Sequence, residues 1–547
     1  MTSPAGWRAP QFASGPWTRR TGWLLVLLAA LGLVGISQDF GITWDEGVQA
    51  TYGELVLDYF ASGGRNQACN EYFDLRYYGP LFESAAALVY RTAGRWKYEI
   101  RHAAIALTAL LTLVAVWRYG RLCGSPAVAV FSVLALLMMP RFVGHAFNNS
   151  KDIPFACGFA WGMVGIGRLL THSRWSWSNV ALCGAGIGLA LSVRVGALML
   201  LLFLAIGVVA MLLLVPEERR SWRERPAERV IKLATITTLA WSIMVIAWPW
   251  ALGNPLVRPL AALAEMSSFS HSYATYFMGE LVRSDELPRY YLPMYLAIAT
   301  PLVTLGLALL GLGATLRKLY LRPRNSITVL NFMALLWLFF PLTYVLVVRP
   351  NVYDGIRHFL FLLPAIAILC GLGAAWALDR MPGAPKWLTA GVLLVLISIP
   401  LKDLVSLHPY QASYFNATVG GLRSAWRNFE SDYWASSYRE AMQWILKQAS
   451  EDSREVTTVV VACNSRNRPC AEYYLRATAP RISMHCVWEG NEPLPQQVDY
   501  YVGMLRYGKA ASFYPDWPVV HRIGRQGAVF TVIRSRSPSR SRSPDPG

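Results

Sequence analysis

Charge is what this sequence lacks. Only 15% of its 547 residues are Asp, Glu, Lys or Arg, against about 25% in an average soluble domain. Acids are the scarcer sign, 33 against 51 Lys and Arg, for a formal net charge of +18. Zinc-type spacing is missing among the eight cysteines. A cleavable signal peptide is not legible, because the first apolar run is long and no small-x-small site follows before "QDFGITWDE". No internal repeat is visible. These absences argue against a soluble domain, a zinc module and a processed secretory precursor.

Apolar length is present instead. Hydrophobic residues make up 54% of the chain. They gather in blocks such as "GWLLVLLAALGLVGIS" and "GALMLLLFLAIGVVAMLLLV", about what a hydrocarbon core of ~30 Å requires. The sequence predicts an α-helical polytopic membrane protein. A basic chain first suggests a nucleic-acid partner. Here the Lys and Arg sit in short loops between the blocks, "RYGRLCG", "EERRSWRER" and "RKLYLRPRN". That is positive-inside patterning, and no nucleic acid is expected.

Hydropathy and loop charge predict about eleven spans, near 22–38, 102–118, 126–140, 153–169, 179–193, 196–215, 230–248, 292–314, 327–347, 359–378 and 387–401. The N-terminal segment 1–21, with Arg8, Arg19 and Arg20, is expected in the cytoplasm of a cell whose inner (plasma) membrane holds the chain. The transmembrane domain is then 22–401. An odd number of spans places residues 402–534 outside the cytoplasm, as a small α/β domain. Its strands read as "VTTVVVAC", "VDYYVGML" and "GAVFTVIR", with an amphipathic helix "WASSYREAMQWILKQAS". Cys463, Cys470 and Cys486 lie there, and an oxidising compartment permits one disulfide. Residues 535–547 read as a disordered basic Arg/Ser tail. The first outer loop, 39–100, holds two amphipathic segments. In one, Val48, Tyr52, Leu55 and Tyr59 recur at helical spacing opposite Asp45, Glu54 and Asp58; the other, "GPLFESAAALVYRTAG", is too short to span. Both are expected to lie in the membrane interface.

Polar groups gather on the outer side. Asp45 and Glu46 open the first loop, and Arg101 and His102 start the second span. His145, Asn148, Asn149, Lys151 and Asp152 precede the fourth. Arg194 marks the turn between the fifth and sixth, and Tyr353, Asp354, Arg357 and His358 precede the tenth. Charge at membrane depth is expensive, so this convergence points to a water-filled cavity. Singly, each has a plainer reading. Asp45 and Glu46 suit a helix start, Arg101 suits snorkelling to headgroups, and lone histidines are common at interfaces. Asn148 and Asn416 head short glycosylation matches that also arise by chance. Acids and cations together suggest chemistry: a carboxylate can take a proton from an attacking hydroxyl, while Arg, Lys and His stabilise a departing phosphate. That set suits a lipid-phosphate donor whose isoprenoid chain stays in the bilayer. Carboxylates near His145 could also hold a divalent metal ion, although no ligand spacing marks one.

The ordered motifs "TWDEG", "EIRHAA", "FNNSKDIPFA", "RVG", "YDGIRHFLFLLPA" and "YQASYFNATVGGLRSAWRNFESDYW" carry a resemblance. Over residues 20–440 the chain resembles membrane glycosyltransferases of the GT-C class. The group is the family 39-like one that includes protein O-mannosyltransferases and lipid A aminoarabinose transferases, in a bacterial subgroup. The resemblance implies a polyprenyl-phosphate-sugar donor used on the non-cytoplasmic face. It implies catalytic roles for Asp45, with Glu46 beside it, and for Asp152. It implies donor phosphate or substrate binding by Arg101, His102, Lys151, Arg194, Arg357 and His358. One departure stands out: a paired-proline start is usual in the second interfacial segment, and here "YYGPLFE" has Pro80 alone. The expected function is sugar transfer to a protein, lipid or envelope polysaccharide. The alternatives are a flippase for lipid-linked sugars, which would place charges near mid-membrane in repeated halves, and a non-catalytic subunit of envelope assembly.

Overall fold

The computed structural model describes residues 29 and 32–536, except 95, 172–174, 268–271, 322–324, 382–384, 452–455, 465–466, 476–480, 489, 491–492 and 509–511. The expected first span and cytoplasmic N-terminal segment, and nearly all of the Arg/Ser tail, lie outside the described residues.

Eight described helices are long and apolar enough to cross a membrane: Lys97–Leu122, Asp152–Thr171, Val195–Leu214, Pro226–Ala247, Leu302–Tyr320, Ser326–Val348, Arg357–Arg380 and Lys386–Ser406. Pro126–Leu137 and Trp177–Leu191 are apolar but shorter. Each matches an expected span, with one adjustment. The eighth, expected as continuous over 292–314, breaks into Tyr291–Ala299 and Leu302–Tyr320. Pro301 forces the break, since the residue before a proline is driven out of helical geometry; Thr300 is extended, at ψ 138°. Asn416 Nδ2 donates to the carbonyls of Ala297 at 2.7 Å and Thr300 at 2.8 Å, satisfying acceptors a helix end would orphan. Asn416 is buried, as is Asn148, so neither glycosylation match presents an accessible acceptor.

The bundle is held by close backbone approach. Leu302–Tyr320 packs along the helix that starts at Leu363, and a Cβ on Gly311 would collide with the Leu369 carbonyl oxygen. Reciprocally, one on Gly373 would collide with the Leu307 carbonyl oxygen. Small residues at the crossing supply the contact that a hydrophobic driving force cannot supply in lipid.

Above one end of the bundle lie the first loop and the C-terminal domain. The loop helices Trp44–Ala61 and Leu81–Ala93 pack on each other, with Gly53 against the Glu83 backbone and Tyr90 Oη donating to the Ala50 carbonyl at 2.9 Å. Trp44–Ala61 does not rest its Tyr52 face on a bilayer, contrary to the amphipathic expectation. Tyr52 and Val56 are buried with Cys69 and Leu75, so the protein's own loop covers that face. A hairpin joins β1 (Ala274–Phe277) and β2 (Glu280–Arg283).

The C-terminal sheet holds β3 (Thr457–Ala462), β4 (Ile482–Val487), β5 (Tyr500–Met504), β6 (Val519–Arg525) and β7 (Ala528–Ser535), in the order β4-β3-β5-β7-β6. β3 runs parallel to β4 and β5, while β7 runs antiparallel to β5 and β6. Helix Tyr438–Glu451 buries Tyr438, Met442 and Ile445 in the same core. A disulfide joins Cys463 and Cys486, and Cys470 is free and buried.

Gly311→Val should lower the unfolding temperature of the detergent-purified protein, equivalent to at least about 2 kcal/mol of overpacking. Gly306→Val, on the same helix but with open space around it, should change stability by no more than about 0.5 kcal/mol.

Candidate active site

Asp45 lies in the first turn of Trp44–Ala61, where its charge favours the helix dipole. The turn is fixed by a capping box: Thr43 N donates to Glu46 Oε2 at 2.8 Å. The two adjacent acids thereby acquire different surroundings. Glu46 is buried, with its Oε1 at 3.1 Å from His102 Nε2. Asp45 points the other way, its side chain 45% exposed, with Arg357 Nη1 at 3.0 Å from its Oδ2.

Asp45 borders a polar cleft that also contains Gln49, Tyr78, Asn148, Asn149, Ser150, Lys151, Asp152, Arg194, Tyr353, Arg357, His358 and Trp434. Six of the nine expected site residues therefore meet: Asp45, Lys151, Asp152, Arg194, Arg357 and His358. The other three form a buried layer behind them. Arg101 Nη1 pairs with Glu83 Oε2 at 2.7 Å and its Nη2 donates to Ser150 Oγ at 3.1 Å, while His102 pairs with Glu46. These pairs tie the first-loop helices to the second span, and none of Glu46, Arg101 and His102 lines the cleft.

Within the cleft most charges are spoken for. Asp152 pairs with Arg194 and accepts from Asn149 Nδ2 at 2.9 Å; its own N–H donates to Asn149 Oδ1 at 2.9 Å. Arg357 bridges Asp45 and Asp354, the latter at 3.2 Å, and its Nε donates to His358 Nε2 at 3.1 Å. Lys151 is different. Among the described residues no carboxylate lies in ion-pair range of it, and its Nζ sits 4.2 Å from the centre of the Tyr78 ring. Burial pushes its ammonium down to about 8; the Asp45 and Asp152 charges resist the shift, and Arg194 and Arg357 reinforce it.

Tyr78 is held by a local device. Gly79 N donates to the Val193 carbonyl at 3.2 Å and Leu81 N to the Ser192 carbonyl at 3.3 Å. A Cβ on Gly79 would strike the Ser192 backbone. Glycine there lets the strap lie flat on the Arg194 turn and lays the Tyr78 ring over Lys151 and Arg194. On the far wall the Arg357 guanidinium sits 5.2 Å from the Tyr353 ring and 5.0 Å from the Trp434 ring.

His145 sits deeper. Its Nδ1 is 3.3 Å from Asn149 Nδ2 and its Nε2 is 3.4 Å from Tyr433 Oη. Burial holds it well below the usual imidazole range, with Arg141 and Arg357 adding to the shift. Among the described residues no group of three His, Cys, Asp or Glu is placed to hold a metal ion.

The cleft adjoins a second, apolar space of about 590 Å³. Leu198, Met199, Leu202, Phe340, Tyr344 and Val345 line it, from the helices Val195–Leu214 and Ser326–Val348. Tyr78, Arg194, Tyr353 and His358 belong to both compartments.

Sequence reading missed Tyr78, Gln49 and Trp434 as cleft walls. Tyr78 had a usable signal in the Gly79-Pro80 pair that follows it, and Trp434 ends the last of the family-like motifs.

Residues 79–248 match the family model described as dolichyl-phosphate-mannose-protein mannosyltransferase. The fold is similar to the crystal structure of ArnT from Cupriavidus metallidurans in the apo state, with TM-score 0.50 and 16% identity over 95% of this chain and 99% of that one. The same protein bound to undecaprenyl phosphate matches at TM-score 0.48 and 15% identity, over 94% and 98% of the two chains. The Archaeoglobus fulgidus oligosaccharyltransferase in the apo form matches at TM-score 0.49 and 11% identity, over 90% of this chain and 70% of that one. No curated protein sequence matches significantly. The GT-C fold expected from the motifs is the fold observed, and the resemblance to family 39-like membrane glycosyltransferases holds.

If Lys151 supplies the cleft's spare positive charge, affinity for a phosphate monoester probe should fall as pH rises through about 8, where the free ammonium loses its proton. Lys151→Arg should flatten that fall, because a guanidinium stays charged. Binding titrations between pH 7 and 9.5 measure both.

Proposed function

We propose that the chain transfers a sugar from a polyprenyl-phosphate donor to an acceptor hydroxyl or amine on the non-cytoplasmic face of the membrane. One observation carries the reading: a carboxylate-bearing polar cleft shares a wall with a large apolar cavity between two membrane helices. A lipid tail fits the cavity while its phosphate meets Arg194 and Lys151 at the junction. The charges sit at the ends of their helices, as Asp152 opens Asp152–Thr171 and Arg357 opens Arg357–Arg380. A flippase would need them near mid-depth instead.

Asp45 is the general base in this reading. It is the more exposed of the two cleft carboxylates, since Asp152 is committed to Arg194 and Asn149. Asp45 takes the proton as the acceptor oxygen or nitrogen attacks the anomeric carbon. The bond from that carbon to the phosphate oxygen breaks, and the electron pair leaves with the polyprenyl phosphate. Lys151, Arg194 and Arg357 stabilise the charge that develops there. Asp152 orients Arg194, and direct attack inverts the anomeric centre. Glu46 holds the helix start that presents Asp45.

The disulfide Cys463–Cys486 supports an oxidising surrounding for the C-terminal domain, hence an extracytoplasmic position for it and a cytoplasmic N-terminus in a plasma membrane. The donor sugar, and whether the acceptor is protein, lipid or polysaccharide, are read by mass spectrometry of glycoconjugates from cells with and without the chain.

Purified protein should move radiolabelled sugar from a polyprenyl-phosphate donor. Asp45→Asn should lower the rate by at least about 10²-fold while polyprenyl phosphate still binds. Undiminished transfer by that variant would sink the role given to Asp45.

A further inference from the structure

The C-terminal domain reaches the segment that carries Asp45 from two sides. On the backbone side, Tyr474 Oη accepts from Ile42 N at 2.8 Å and Arg439 donates to the Phe40 carbonyl at 3.2 Å. Gly41 lies so close to the Ser436 carbonyl that a side chain there would collide with it. The Trp44 ring meets Trp488 edge-on at 5.6 Å.

On the charge side the contact is a single arginine. Arg506, just beyond β5, sends Nη2 to Asp354 Oδ1 at 2.7 Å, and its Nε lies 3.1 Å from Glu430 Oε2. Its Nη1 donates to the Tyr433 carbonyl at 2.8 Å. The next carbonyl, of Trp434, accepts from Trp44 N at 3.2 Å. Asp354 also pairs with Arg357, and Arg357 with Asp45. Signs therefore alternate along Glu430, Arg506, Asp354, Arg357 and Asp45. The Arg506, Asp354 and Arg357 side chains are each under one-tenth exposed, so each charge depends on its neighbours for compensation.

We propose that Arg506 is a positioning residue for the transfer reaction: by holding Asp354, it lets Arg357 serve Asp45 and keeps that carboxylate turned into the cleft. Removing the Arg506 charge leaves Glu430 and Asp354 as buried anions with Arg357 as the nearest cation to Asp354. Arg357 is then drawn inward and Asp45 loses its hold. The C-terminal domain is on this account part of the catalytic frame, although none of its β-sheet lines the cleft. The proposal rests on the reading of Asp45 as the base.

The test compares Arg506→Met, Arg506→Lys and wild type as full-length protein in detergent or nanodiscs. Arg506→Met should lower kcat at least about tenfold and leave the donor KM within about threefold, because Lys151 and Arg194 still bind phosphate. Arg506→Lys should recover most of kcat, since it returns a cation to Asp354. Adding Asp354→Asn to Arg506→Met should restore most of kcat, because the anion that competes with Asp45 for Arg357 is then gone. Should Arg506→Met not fold, Arg506→Gln removes the same charge from beside Asp354 and carries the same expectation. Hydrogen exchange over residues 41–48 reads the link without any reaction: Arg506→Met should speed it about tenfold and Arg506→Lys should not. Wild-type kcat in folded Arg506→Met would overturn the proposal. So would a lysine variant no better than methionine, with kcat, KM and stability all falling together. A wild-type chain that transfers no sugar would instead overturn the proposed function, and the exchange measurement would then decide the link alone.

Discussion

The structure turns on the ion pair between Arg357 and Asp45. A carboxylate at the edge of a membrane domain is costly to keep charged unless a cation answers it. Arg357 answers two, Asp45 and Asp354. That sharing leaves Asp45 with one firm partner and with nearly half of its side chain exposed to the cleft. The proposed base role suits this balance: a cation beside the carboxylate, and an open side toward the cleft. Asp152 shows the other outcome. It has Arg194 and both sides of the Asn149 amide, and only 4% of its side chain is exposed.

Behind the cleft a second set of pairs does mechanical work. Glu46 with His102 and Glu83 with Arg101 join the first loop to the second span, deep enough that water does not weaken them. The loop can then hold Asp45 in place without the mobility of a loop. The same economy appears in the bundle, where Gly311 and Gly373 allow two helices to touch backbone to backbone.

Much of this was legible in the sequence. The spans follow from apolar length and loop charge, and even the broken eighth one carried its sign in Pro301. The cleft cations were legible because charge is so rare here that Arg194, inside an apolar stretch, had to have a reason. What could not be read is which way neighbours point. Asp45 and Glu46 are adjacent in sequence, yet helical geometry turns one to the cleft and the other to His102. Arg101 and His102 belong to the right motif but face inward. The contacts of Arg506 with Asp354 and of Arg357 with Asp45 join distant parts of the chain. No local pattern encodes such pairs. Tyr78 lay between these cases: its position depends on a glycine whose need is plain only once the Ser192 backbone is beside it.

In the proposed reaction, the wall shared by the two compartments sets the traffic. A lipid that slides in between Val195–Leu214 and Ser326–Val348 does not cross the path of an acceptor arriving at Asp45 from the aqueous side. Both molecules can be resident together, so neither must depart before the other is admitted. Turnover then passes through a ternary complex, and reciprocal rate plots at varied donor and acceptor intersect instead of running parallel. Spent carrier drains sideways into the bilayer that delivered it, while the glycosylated product departs through the other door.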